Sequence, residues 1–434
     1  MATDHTADAR APHEQLHAAM QQGDAETVRR LLTQHAQFRP LINAPLFPYD
    51  APAIVACAHD AAMVEVLLEF GADPNARSRW WAGGFHALHV ATGVAADRLL
   101  AAGAIPDACA AAHLDRPELL AALLAEDPQR VAERGGDGQT PLHFARSRAV
   151  VDLLLNAGAD INARDVDHRA TPAEWMLQRS RGSGRYDVAN YLAERGAHTD
   201  IFLAAALGRT DRAVAFLQDT PTLLDAQTGQ GHYGEFPPSS YHIYFWSIGA
   251  NRSPLDVAAQ FAHADTVNAL LSYATPTQRL RFACTRGDAE AAHALVHAAS
   301  DLVARLGPRD RSLLSQAAWD GNSTAVALML LLGFDPAVVG HDGGSALHCA
   351  AWQGSAESVA AILAVPAGRA LIAQCDANHG GTPLGWCCHG SLHGPKDGDF
   401  SRVAELLLQA GAAVETGAAS AAVKSVLKRW SVQR

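Results

Sequence analysis

The sequence predicts an all-α solenoid of roughly a dozen helix-turn-helix units, and three observations carry that expectation. One short two-helix unit recurs, in degraded copies, along the 434 residues. Within each copy the apolar residues recur at helical spacing on faces that only a neighbouring copy can cover. The 21 prolines and 35 glycines are too few for a disordered chain and concentrate in the turns between units.

The most complete copy is Asp342 to Leu363. Ser345 is placed to cap a first helix whose apolar face is Leu347, Cys349 and Ala350, and Gly354 ends it. A second helix starts at Ala356, with Val359, Ala360, Ile362 and Leu363 at helical spacing.

Four further segments repeat this opening. Thr140-Pro141-Leu142-His143-Phe144-Ala145 is the fullest; Thr382-Pro383-Leu384-Gly385-Trp386-Cys387, His86 to Ala91 and Ser253 to Ala258 are looser. Second helices end in similar apolar-glycine signatures at Leu67 to Asp73, Leu154 to Asp160 and Leu407 to Ala412. These motifs resemble the ankyrin repeat, with its T-P-L-H-x-A signature and a period near 33 residues. The resemblance extends over nearly the whole chain. It implies that His89, His143 and His348 are structural rings bonding between adjacent repeats, and that partners lie on a concave surface of turn tips and first helices.

Composition narrows the function classes. A formal net charge of −11 argues against nucleic acid as a partner, because that binding needs lysine and arginine against phosphates. No run approaches the roughly 18 apolar residues of a membrane helix, and the amino terminus has no apolar leader. Seven cysteines, mostly at small-residue positions of helices, fit a reducing compartment. A cytoplasmic protein without membrane association is the expectation.

In chain order, residues 1–227 read as amino-terminal repeats, the first capping the array. Trp80 and Trp81 lie at the tip of a glycine-ended loop, where one ring can pack beneath the loop but two are harder to bury. The third and fifth copies are clipped, the second helix of the fifth starting near Arg148. The sixth has Glu174 at the signature histidine position and an insertion from Arg179 to Arg185. Residues 228–252 are the main departure, an aromatic-rich insertion holding His232, Tyr233, Glu235, Phe236, Tyr241, His242, Tyr244, Phe245 and Trp246. Long loops on a rigid scaffold commonly carry function; the alternative is a self-packed flap over an interrupted core. Repeats resume over 253–416, with an insertion from His393 to Asp399, and 417–434 form a carboxy-terminal capping helix.

Trp319 and Trp352 occupy the same position before the mid-repeat glycine in consecutive copies, and His389 takes it in the next. The family resemblance places that position on the concave face, so these rings should line one groove. Exposed aromatic rows rarely persist without a ligand or partner. Trp80, Trp81, Tyr241, Tyr244, Trp246, Trp319, Asp320, Trp352, Trp386 and His389 are therefore the candidate binding residues. The leading expectation is a recognition scaffold for a protein or peptide in the groove.

The alternative is an enzyme, a hydrolase, isomerase or cyclase, or a binder of a small apolar molecule, its pocket closed by residues 228–252 over Trp319, Asp320, Trp352, Trp386 and His389. Asp320 and His389 are then the candidate catalysts. Asp256 and Glu174 add carboxylates whose pKa would rise if walled by tryptophan. No cofactor is expected. Cys387, Cys388, His389 and His393, with Cys375 and His379 upstream, suggest zinc, but no C-x-x-C pair occurs and the two thiols point to different sides of a helix, so no metal is assigned. The chain also resembles long bacterial ankyrin proteins sharing an insertion like His242 to Trp246 and a last repeat like Thr382 to Ser391, a group that implies no activity.

Overall fold

The computed structural model describes residues 11–177, 185–229, 241–415 and 417–432. His232, Tyr233, Glu235 and Phe236 of the expected insertion lie outside these residues, as does all but the last residue of 179–185. Among the described residues the chain is helical, with no strand and two isolated bridges, Phe47 to Ala51 and Arg77 to His86. Among the described residues no helix is long and apolar enough to cross a membrane. The chain divides into two compact units, Met1–Leu270 and Leu271–Arg434.

Each unit is a succession of helix pairs, and in several of them the first turn is closed by one device. The residue before the helix caps it while the side chain three positions later accepts the cap's backbone N–H. In the pair Pro141–Phe144 and Arg148–Asn156, His143 Nδ1 accepts from Thr140 N at 3.0 Å and Nε2 reaches the Ala170 carbonyl of the following repeat at 3.1 Å. His348 does likewise with Ser345 and with the Gln374 and Gly381 carbonyls. Each ring thus ties its own turn to the next repeat. At equivalent positions Glu174 accepts from Thr171 N at 2.7 Å, Asp256 from Ser253 N at 2.9 Å and Gln278 from Thr275 N at 2.8 Å.

That bonding sets the role of two carboxylates expected as possible general acids. Glu174 is buried at its helix start; burial first, and the charge of Asp200 second, push its pKa well up. Asp256 is engaged by both the N–H and the hydroxyl of Ser253. Both are the acceptors three positions after the cap, in the first turns of their helices.

In residues 1–270 the first helix of the third pair shrinks to the single turn Ala87–His89, before Gly93–Ala101. At 228–252 the described ends are joined: Thr228 N donates to the Arg252 carbonyl at 3.0 Å, Asn251 N to the Thr228 carbonyl at 3.0 Å, and Gly229 N to the Tyr241 carbonyl at 2.8 Å. Helix Ile243–Ser247 follows. Tyr244 is fully buried within it, its hydroxyl on the Asp200 carboxylate at 3.0 Å.

In residues 271–434 the pairs Leu313–Trp319 with Ser323–Leu331, Ala346–Trp352 with Ala356–Ala364, and Pro383–His393 with Phe400–Ala410 pack in register. The core runs through Leu314, Leu347, Leu384 and the second helices behind them. Gly354 ends its helix at φ +66°, and a Cβ there would meet the Gly398 Cα at 2.7 Å. Only glycine satisfies both that backbone and that approach.

Candidate functional site: an aromatic cavity

Three consecutive repeats of residues 271–434 each deliver a ring to one place. Trp319 and Trp352 are the last residues of their first helices, one repeat apart, so the rings stack with centroids 6.0 Å apart and planes 9° from parallel. His389, one repeat further along, lies 5.3 Å from Trp352. Close approach of the next helix makes this possible, since a Cβ on Gly390 would sit 2.6 Å from the Trp352 carbonyl oxygen.

These rings border a cavity of about 520 Å³ whose lining also includes Trp386, Asp342 and His379. Trp386 differs from the others. It is only 8% exposed and stands at 78° to Trp352, with centroids 6.4 Å apart. Its indole fits over Gly344 and Gly381, where side chains would collide with the ring. Trp386 therefore forms a floor, with Trp352 as an upright wall.

The floor is held by Asp376. Its carboxylate accepts the indole N–H at 2.8 Å and the backbone N–H groups of Asn378, His379 and Gly381 at 2.9, 2.6 and 2.7 Å. Burial alone would raise its pKa, but these four donors hold it below the ordinary carboxylate range. Asp342 brings charge to the rim, its Oδ2 3.0 Å from His379 Nε2 and its Oδ1 accepting from Asn378 Nδ2 at 3.2 Å.

Asp320 is exposed, accepts a hydrogen bond from Gln316 at 3.0 Å and is absent from the lining. As the C-cap of Leu313–Trp319 it follows the helix out of the cavity. The expected tryptophan-walled acid is thus not formed there, and His389, itself exposed, stands alone of the two candidate catalysts.

The remaining expected residues belong to residues 1–270. Trp80 and Trp81 lie 5.9 Å apart; Trp80 is half-buried edge-on to Tyr49 while Trp81 is 68% exposed. Trp246 is 61% exposed beside Phe245, and Tyr241 packs edge-on against Phe202 at 4.9 Å. Tyr244 is a correction: with no exposed surface and its hydroxyl committed to Asp200, it is a core residue and offers nothing to a partner. The thiols of the last repeat do not converge with its histidines on a shared ion. Cys387 is buried against the Phe400 carbonyl, and burial pushes Cys388 up to about 11.

Asp342 and Asp376 were not singled out as site residues from the sequence, and His379 only as a possible zinc ligand, although a signal for two of the three was present. The pattern D-x-(D/N)-H-x-x-T-P-x-x-W occurs twice, from Asp165 to Trp175 and from Asp376 to Trp386. In both copies the indole N–H bonds to the leading aspartate.

Compared with known families, residues 137–166 match the ankyrin repeat. No curated protein matches the chain.

Proposed function

We propose, from the ankyrin-repeat match at residues 137–166, that the chain is a recognition scaffold holding a protein or peptide partner, with a basic side chain of the partner seated in the cavity between Trp319 and His389. On this reading roughly a dozen repeats, interrupted at 228–252, make up the scaffold. The observation that carries it is the corner made by Trp352 and Trp386 at 78°, with the Asp342 carboxylate at the rim. Two indole faces meeting at a corner attract a cation from two sides, each contact contributing about 0.5–2 kcal/mol, and a chain of net charge −11 draws basic partners. Protein binding itself is argued from what ankyrin repeats generally do, which is an analogy at the level of fold.

The cavity volume favours a second reading. About 520 Å³ falls in the roughly 300–1,000 Å³ range of small-molecule sites, so a small apolar or aromatic molecule also fits. Fluorescence polarisation with labelled peptides that differ at one position (lysine, trimethyl-lysine, arginine or norleucine) separates the two. Tighter binding of the cationic peptides, lost at least about tenfold in Trp352→Ala, is expected. Equal binding of the norleucine peptide, displaced by neutral indole, would favour the small-molecule reading, and insensitivity to Trp352→Ala would remove the cavity from both.

A further inference from the structure

In residues 1–270, the turns of two consecutive repeats bring together three side chains that the cavity reading does not use. Asp137 sits in the turn Gly136–Gly138, and its carbonyl accepts the N–H groups of Val166 and Asp167 at 3.0 and 3.2 Å. This pairing fixes the tips against each other, so that ligand atoms of Asp137, Asp167 and His168 all lie within 4.8 Å of one another. Asp137 is 8% exposed, and its Oδ1 is sealed from solvent and within normal hydrogen-bond distance of no donor, the nearby Trp80 indole N–H being the neutral group that faces its carboxyl. His168 Nδ1 stands 3.6 Å from Asp167 Oδ2 and 3.7 Å from Asp165 Oδ2. Among the described residues no lysine or arginine pairs with Asp137 or Asp167. Two sheltered carboxylates side by side without a compensating cation are costly.

The chain contains its own comparison. In the second copy of the D-x-(D/N)-H pattern, Asn378 stands where Asp167 stands, His379 where His168 stands, and Asp342 in the place of Asp137. There the aspartate is satisfied within the protein, accepting from the Asn378 amide at 3.2 Å and facing His379 Nε2 at 3.0 Å. A carboxylate at 167 has no N–H to give. The exchange of amide for acid thus turns a closed hydrogen-bonded set into one with a missing positive partner.

We propose that Asp137, Asp167 and His168 form a binding site for a divalent cation that accepts mixed oxygen and nitrogen ligands, Mn²⁺ being the type ion. Two carboxylate oxygens and one imidazole nitrogen are a donor set that such ions take, leaving further positions for water. The ion's two charges offset those of the two aspartates. Burial first, and the charges of Asp167 and Asp165 second, push the Asp137 carboxyl up to about 7, and a bound dication relieves that repulsion.

The test is titration of the full-length chain with Mn²⁺, following free ion by electron paramagnetic resonance and thermal unfolding in parallel. One Mn²⁺ per chain is expected, with a rise in the unfolding midpoint. Asp167→Asn should weaken binding at least tenfold while leaving the metal-free midpoint unchanged or higher, because the amide reproduces the Asn378 bond. Asp137→Asn is the second variant, so that misfolding of one leaves the comparison intact. Absence of saturable binding, or equal binding by wild type and both variants, overturns the site.

Discussion

Replacing Trp386 by phenylalanine keeps a ring on the cavity floor and removes one hydrogen-bond donor. Asp376 then loses the indole N–H at 2.8 Å and keeps its three backbone donors. A bond to a charged acceptor that cannot be replaced by water costs about 1.5–3 kcal/mol. Asp376 is 6% exposed but keeps three backbone donors in the variant, so the lower end, about 1.5 kcal/mol, is expected. Urea unfolding followed by circular dichroism reads this as a lowered midpoint in the transition of residues 271–434. The pH dependence gives a second check. Because Asp376 has a folded pKa below its unfolded value, its contribution is complete above the unfolded pKa of about 3.8 and is lost as pH falls through the folded pKa. The gap between wild type and Trp386→Phe should therefore narrow only well below the unfolded pKa of about 3.8, as pH falls through the variant's folded pKa toward that of wild type. A difference under about 0.5 kcal/mol at neutral pH, or one that persists unchanged in acid, would refute the assignment of the indole bond as the anchor.

Three other perturbations read other parts of the structure. Leu347→Ala deletes a fully buried side chain and should cost about 2–5 kcal/mol; an unchanged denaturation midpoint would contradict its place in the core. Burial first lowers the His143 pKa from 6.5 to about 3, so the unfolded chain takes up the proton before the folded one does. The stability it confers is complete above pH 6.5 and falls as pH drops toward about 3. His143→Gln, which copies the cap acceptor that Gln278 supplies in its own repeat, should flatten the stability profile across that window. A profile of unchanged slope would show that another group governs it. Gly390→Ala places a Cβ 2.6 Å from the Trp352 carbonyl and should cost about 1–3 kcal/mol by overpacking while weakening peptide binding, whereas wild-type affinity would mean that Trp352 holds its position independently of that helix.

The helix pairs were legible in the sequence because many carry local signals such as a cap, an acceptor three positions later or a glycine at the turn. The convergence of Trp319, Trp352 and His389 was legible for the same reason, since equal positions in successive copies of a repeat stack on one side. What the sequence hid lies where a side chain's partner is distant along the chain. Asp376 bonds an indole ten residues on, and Asp342 bonds residues 36 and 37 positions away. Tyr244 was misplaced because its ring was counted among a cluster of aromatics, whereas its partner Asp200 is 44 residues earlier and caps a different helix. Asp320 was misplaced because adjacency to Trp319 in sequence was taken as adjacency in the cavity, and one step along a helix turns the side chain by about 100°.

The paired ends of the 228–252 segment hold the chain entering and leaving it side by side. Thr228 and Gly229 meet Arg252, Asn251 and Tyr241 through the backbone, and the Thr228 hydroxyl adds a bond to the Gly249 carbonyl and one from the Arg252 N–H, so the closing bonds all lie outside residues 230–240. Doubling the number of residues carried between Gly229 and Tyr241 costs only about 0.6 kcal/mol in loop closure. A foreign peptide or epitope grafted between Gly229 and Tyr241, with Thr228 and residues 241–252 kept, should therefore keep the base closed at a loop-closure cost of that order.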